Sequence, residues 1–176
     1  MKMNLLITLF VAGSILFSTL PVLAAVPKAG DAAPLFTGQD QDGKTVNLAD
    51  LVGKKIVLLY FYPKDNTPGC TKEACGFRDR LGELARDNVE IIGVSFDSAD
   101  SHKQFIAQYH LNFPLLADPE GKIADAYGVR MAGKNMAKRV SFLIGLDGKI
   151  AHVTDSSKPD VHFNEMKDAI AGLKKS

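Results

Sequence analysis

The chain has 176 residues, of which 46% are hydrophobic and 23% charged, with 21 basic against 20 acidic side chains. That composition suits a single globular domain with a core of useful size and leaves no need for a second. Charge is spread without a block of either sign, which argues against nucleic acid or an acidic membrane as a partner.

In chain order, residues 4–20 are almost wholly apolar after Lys2, and Val22-Leu23-Ala24 supplies the small-residue pattern of a cleavage point. Residues 1–24 therefore read as a secretory signal peptide and 25–176 as the mature domain, with no stable membrane association after cleavage. An uncleaved anchor is the alternative, since the run is near the lower limit for spanning a bilayer. Loss of the leader, whose one charged side chain is Lys2, would leave twenty basic and twenty acidic groups.

Val26 to Pro34, rich in Pro and Ala, reads as an extended arm. Phe36-Thr37 and Lys44-Thr45-Val46 around Gln41-Asp42-Gly43 predict a small hairpin, and Asn47 is placed to cap a helical turn through Leu51 that Gly53 ends. Lys55 to Phe61 is a near-continuous apolar run, the mark of a strand buried on both faces. Pro63 ends it, and Asn66 to Gly69 form a turn cluster in which Thr67 suits an N-cap and Pro68 the first helical position.

The helix that follows should run to about Arg86, with Cys70, Ala74, Phe77, Leu81 and Leu84 on its inward face. Val89 to Phe96 reads as a strand, Ser101 to Tyr109 as a helix capped from Asp97, Ser98 or Asp100, Leu115 to Ala117 as a short strand and Lys122 to Tyr127 as a short helix. A surface loop is expected from Met131 to Lys138. A strand from Arg139 to Ile144 then turns at Asp147-Gly148 into Lys149 to Val153, and Pro159 opens a last helix carrying Phe163, Met166, Ile170 and Leu173. Alternating strands and helices predict a sheet covered by helices.

The two cysteines sit at one junction of strand and helix. In the first helical turn, Cys70 meets unpaired backbone N–H groups and the positive end of the helix dipole, which favour the thiolate. Cys75 falls roughly 140° around the helix from it. A structural disulfide is the bland reading in an oxidising compartment, but a bridge within one helix staples little chain and conflicts with helical geometry. His102, His110, His152 and His162 show no ligand spacing and read as solvated or structural, so neither a metal nor another cofactor is expected.

Pro63, Thr67 and Cys70 reproduce the Pro-x-x-x-Thr-x-x-Cys signature, and the run from Phe61 to Cys75 resembles the peroxiredoxin Q or bacterioferritin comigratory protein branch of the peroxiredoxins. The similarity extends from about Gly30 to the C-terminus and includes Arg139 to Ile144; Gly145 departs from the Asp often found there. The resemblance implies a thioredoxin-like α/β fold, a central mixed sheet flanked by helices with an N-terminal β-hairpin. It makes Cys70 the peroxidatic cysteine, Cys75 the resolving one, Arg139 the group that activates the thiolate, and Pro63 its shield from solvent.

Thr67, besides capping, is placed to bond a peroxide oxygen, and Glu73 resembles the carboxylate that orders the arginine. The implied activity is reduction of hydrogen peroxide and organic hydroperoxides, with an intramolecular disulfide recycled by a thioredoxin-like dithiol, in a monomer. A thiol–disulfide oxidoreductase would instead expect two residues between the cysteines rather than four. A redox sensor or holdase remains the non-enzymatic reading of the same pair.

Overall fold

A computed structural model describes residues 24–86 and 88–173 of the protein, without the side chains of residues 81–86. The leader expected over residues 1–24 lies, apart from Ala24, outside the described residues, as do the side chains of Leu81 and Leu84.

Strand β3 (Ile56–Phe61) is buried at every position, as its unbroken apolar run requires. It pairs in parallel with β4 (Val89–Ser95) and antiparallel with β6 (Val140–Ile144). Around these, β1 (Thr37–Asp40), β2 (Thr45–Asn47), β5 (Leu115–Ala117) and β7 (Ile150–Asp155) complete a seven-stranded mixed sheet in the order β2-β1-β5-β4-β3-β6-β7. β1 and β2 form the expected N-terminal hairpin.

Alternation along β3 divides the core. Val57, Leu59 and Phe61 face a cluster with Leu48, Ile123 and Tyr127, on the side of α1 (Leu48–Leu51) and α4 (Lys122–Ala126). Ile56, Leu58 and Tyr60 face a second cluster built from α2 (Pro68–Arg86), α3 (Ala99–Tyr109) and α5 (Pro159–Leu173).

Several expected boundaries move by a residue or two. Arg139 precedes β6 rather than opening it, β7 runs on to Asp155, and α3 begins at Ala99 with Ser98 as N-cap. Helix α2 does begin at Pro68 as expected, so Gly69, counted in the turn cluster, is helical. The chain reverses instead at Asn66, whose φ of 57° lies in the left-handed region that Asn tolerates. Most of the Met131 to Lys138 loop lies at the surface as expected, with residues 132–135 and Lys138 exposed, while Ala137 is buried and bridges to Arg130. The N-terminal arm is held by backbone bonds from Gly30 and Ala33 to Ile150 and Gly148, and its start crosses Gly128, where a Cβ would fall 2.3 Å from the Ala24 carbonyl.

Candidate active site

Cys70, Ala74 and Phe77 are each about 1% exposed, on the face of α2 that packs against β3. The apolar phase of the helix therefore carries the first cysteine inward. Thr67 occupies the N-cap position, because its carbonyl accepts the Thr71 amide at 2.8 Å. Its hydroxyl donates to the Lys64 carbonyl at 3.1 Å, so the side chain secures the preceding turn. Cys75, on the other side of the helix, is half-buried, and both cysteines are reduced.

The Arg139 guanidinium reaches across the start of α2 and donates from Nη2 to Cys70 Sγ at 3.2 Å. From Nη1 it donates to Glu73 Oε2. Its path explains Gly69: a Cβ there would stand 3.1 Å from Arg139 Nη2. Burial lowers the Arg139 pKa, but Glu73 and Cys70 more than offset it and raise it above the usual arginine value. The guanidinium is thus a permanent positive charge on the sulfur.

Glu73 is wholly buried, and burial pushes its carboxyl up to about 8 against the pull of Arg139. The burial effect prevails because only one of its oxygens is satisfied: among the described residues Oε1 has no hydrogen-bond partner. His162 Nδ1 lies 3.4 Å from Oε1. His162 is itself 0% exposed, with Nδ1 2.8 Å from Ser141 Oγ and Nε2 2.8 Å from the Ser156 carbonyl.

Pro63, Arg139 and Lys138 line a cleft of about 280 Å³ with Met131, Asp155, Ser156 and Ser157. A larger cavity of about 440 Å³, between residues such as Lys44, Asp50, Glu90 and Phe113, contains neither cysteine. The smaller cleft is the one that reaches the guanidinium on Cys70.

The structure brings Cys70, Arg139 and Glu73 together, sets Pro63 at the cleft and Thr67 at the helix start, and leaves Cys75 apart from Cys70 around α2. His162 was not distinguished by sequence reasoning from a solvated histidine, although it stands four residues before Met166 and eight before Ile170, on the apolar phase of α5. A second unanticipated cluster holds the loop before Cys70. Asp65 accepts from Tyr62 Oη at 2.7 Å and Ser101 Oγ at 2.7 Å, and pairs with His102 Nδ1 at 2.8 Å. Burial raises the Asp65 carboxyl, but His102 and the two hydroxyls outweigh it and hold it below the usual value. His102 is fully buried, and its Nε2 lies 3.2 Å from the Leu116 carbonyl.

A family model described as AhpC/TSA matches residues 29–153. Peroxiredoxin Bcp of Escherichia coli is 45% identical over 143 residues, 78% of this chain and 91% of that protein. Chloroplastic peroxiredoxin Q of Triticum aestivum is 40% identical over 147 residues, covering 82% and 67%. Among solved structures, peroxidoxin BcpB from Mycobacterium tuberculosis superposes with a TM-score of 0.76 at 37% identity, covering 85% of this chain and 97% of that one. The sheet and its flanking helices therefore form the thioredoxin-like fold of these proteins. A reduced cysteine buried under an arginine at a helix start, on that fold and with that degree of likeness, means that the chain belongs to the AhpC/TSA family and is a peroxiredoxin, a thiol peroxidase of the Bcp and peroxiredoxin Q kind.

Proposed function

We propose that this protein reduces hydrogen peroxide and organic hydroperoxides with Cys70 as nucleophile and Cys75 as resolving residue. The observation that carries the assignment is the 3.2 Å contact from Arg139 Nη2 to Cys70 Sγ in the first turn of α2. Backbone N–H groups, helix dipole and guanidinium all favour negative charge at that sulfur.

The thiolate attacks one peroxide oxygen. The S–O bond forms as the O–O bond breaks, sulfur loses two electrons, and the leaving oxygen takes a proton to depart as water or alcohol. Arg139 stabilises charge on that oxygen, the Thr67 hydroxyl bonds the substrate, and Pro63 walls the cleft against water. The Cys75 thiol then displaces water from the sulfenic acid to give the disulfide, which a thioredoxin-like dithiol reduces by exchange.

The leader supports an exported, periplasmic protein with reducing equivalents supplied across the membrane, and a resolving cysteine on the same helix as the nucleophile supports a monomer. Stopped-flow consumption of hydrogen peroxide by the mature protein tests this function. Cys70→Ser should abolish the reaction. Cys75→Ser should complete one turnover on the dithiol donor and halt as sulfenic acid until a small monothiol is added. A Cys70→Ser protein that kept a tenth of the rate would overturn the first assignment, and sustained cycling of Cys75→Ser on the dithiol donor would overturn the second.

A further inference from the structure

The contact between α2 and α5 brings two buried titratable side chains together behind the arginine. His162 Nε2 faces a carbonyl, which only accepts, so that nitrogen carries hydrogen. Its other nitrogen, Nδ1, faces Ser141 Oγ at 2.8 Å and Glu73 Oε1 at 3.4 Å. An ionised Glu73 beside a bare Nδ1 would set two lone-pair atoms against each other between two side chains that are both 0% exposed, with Oε1 unpartnered among the described residues. One proton removes the conflict. It sits on Oε1 with the ring neutral, or on Nδ1 with the carboxylate ionised, and in both arrangements the pair has no net charge.

We propose that Glu73 and His162 share a single proton, and that this proton, by keeping the pair neutral, leaves the Arg139 charge directed at Cys70. His162 is then a positioning residue for the reaction. Its effect passes through Glu73 and Arg139, and the inference rests on Cys70 being the nucleophile.

Burial lowers His162, and Arg139 adds to that effect, while burial raises Glu73, so the proton belongs on the carboxyl. The other groups facing the pair are Arg139 before β6, Tyr60 on β3, Asp155 on β7 and Glu165 on α5, with Cys70 reached through Arg139. Asp155 and Glu165 raise His162, but less than burial lowers it. As pH rises past the point where the proton is lost, Glu73 becomes an anion that competes with the thiolate for the guanidinium.

The test follows the Glu73 Cδ and His162 ring-nitrogen resonances in isotopically labelled, reduced protein, alongside the second-order rate with hydrogen peroxide. Expected is one alkaline titration sensed by both side chains at the same midpoint, with the rate falling as the proton leaves. His162→Gln keeps a donor for the Ser156 carbonyl but removes Nδ1, and should move the Glu73 midpoint and the fall in rate towards acid by more than about one pH unit. Glu73→Gln should remove the alkaline fall. A Glu73 resonance titrating in the ordinary carboxyl range, unseen by His162, would overturn the shared proton. An alkaline fall unchanged in Glu73→Gln would overturn its effect on Cys70. Failure of the nucleophile assignment would show separately, as activity surviving in Cys70→Ser, because the resonances do not depend on turnover.

Discussion

At the level of single residues, the site is a cation held between two acidic partners of unequal kind, a thiol that takes part in the chemistry and a carboxyl that does not. Arg139→Met removes the charge while keeping an unbranched stem, and the peroxide rate should fall by about 10²–10³, the loss typical of one donor to a developing negative charge. Rapid-mixing kinetics check this, and a rate within a factor of three of the parent would take Arg139 out of the reaction. Asp65 works at one remove, holding the turn that leads into Cys70 through Tyr62, Ser101 and His102. Asp65→Ala leaves Tyr62, Ser101 and the buried His102 without the acceptor they share, and losing a hydrogen bond to a charged group costs about 1.5–3 kcal/mol. Urea unfolding measures it, and a loss below about 1 kcal/mol would mean the network adds little. Asp65 stands in a turn with no periodicity, and His102 is thirty-seven residues away. Nothing in their spacing announces the pair.

Helix α2 has to do two incompatible things: present Cys70 in an intact first turn, and then let Cys75 reach it. In a regular helix, residues five apart have Cα atoms roughly 8.6 Å apart. A disulfide tolerates only about 4.4–6.8 Å. The first turns must therefore unwind after oxidation. The structure shows what resists this. Lys72 pairs with Asp160 at 2.7 Å, Gly76 lies against Phe163, and the Arg80 guanidinium stacks 4.2 Å over the same ring. Phe163→Ala would loosen that clamp and should speed formation of the Cys70–Cys75 disulfide several-fold while lowering the melting temperature of the reduced protein. Quenched-flow trapping of the sulfenic acid and calorimetry report the two effects. In the parent protein, amide exchange from Cys70 to about Arg78 should accelerate on disulfide formation; equal protection in both redox forms would refute the unwinding.

For the whole molecule, two of the buried carboxyls, Asp65 and Glu73, bend stability in opposite directions with pH. Asp65 is held below its ordinary value, so its contribution is present above about 4 and is lost as pH falls through the folded-state value. Glu73 is raised from 4.5 to about 8, so its contribution is present below about 4.5 and is lost as pH rises towards 8. The reduced protein should be most stable in mild acid. Glu73→Gln should flatten the alkaline slope of melting temperature against pH, and the disulfide form, whose first α2 turns are unwound, should lack it as well. An alkaline slope that survives Glu73→Gln would have to come from another group.

Local chemistry was legible along the chain: the apolar run of β3, Pro68 at a helix start, Cys70 in phase with Ala74 and Phe77, and the last helix from Pro159. Each rests on interactions within a few residues, which periodicity and capping express directly. Arg139 could be placed at the site only by resemblance, since an arginine before a strand looks the same whether it meets solvent or sulfur. Gly69 read as a turn residue, because the guanidinium that needs the space comes from seventy residues further on. Tertiary structure alone decided that β6 lies beside β3 and that α5 packs on α2. Those two contacts carry Arg139 to Cys70 and His162 to Glu73. They exclude water from the carboxyl and set its charge, because burial acts through neighbours in space that residue order does not record.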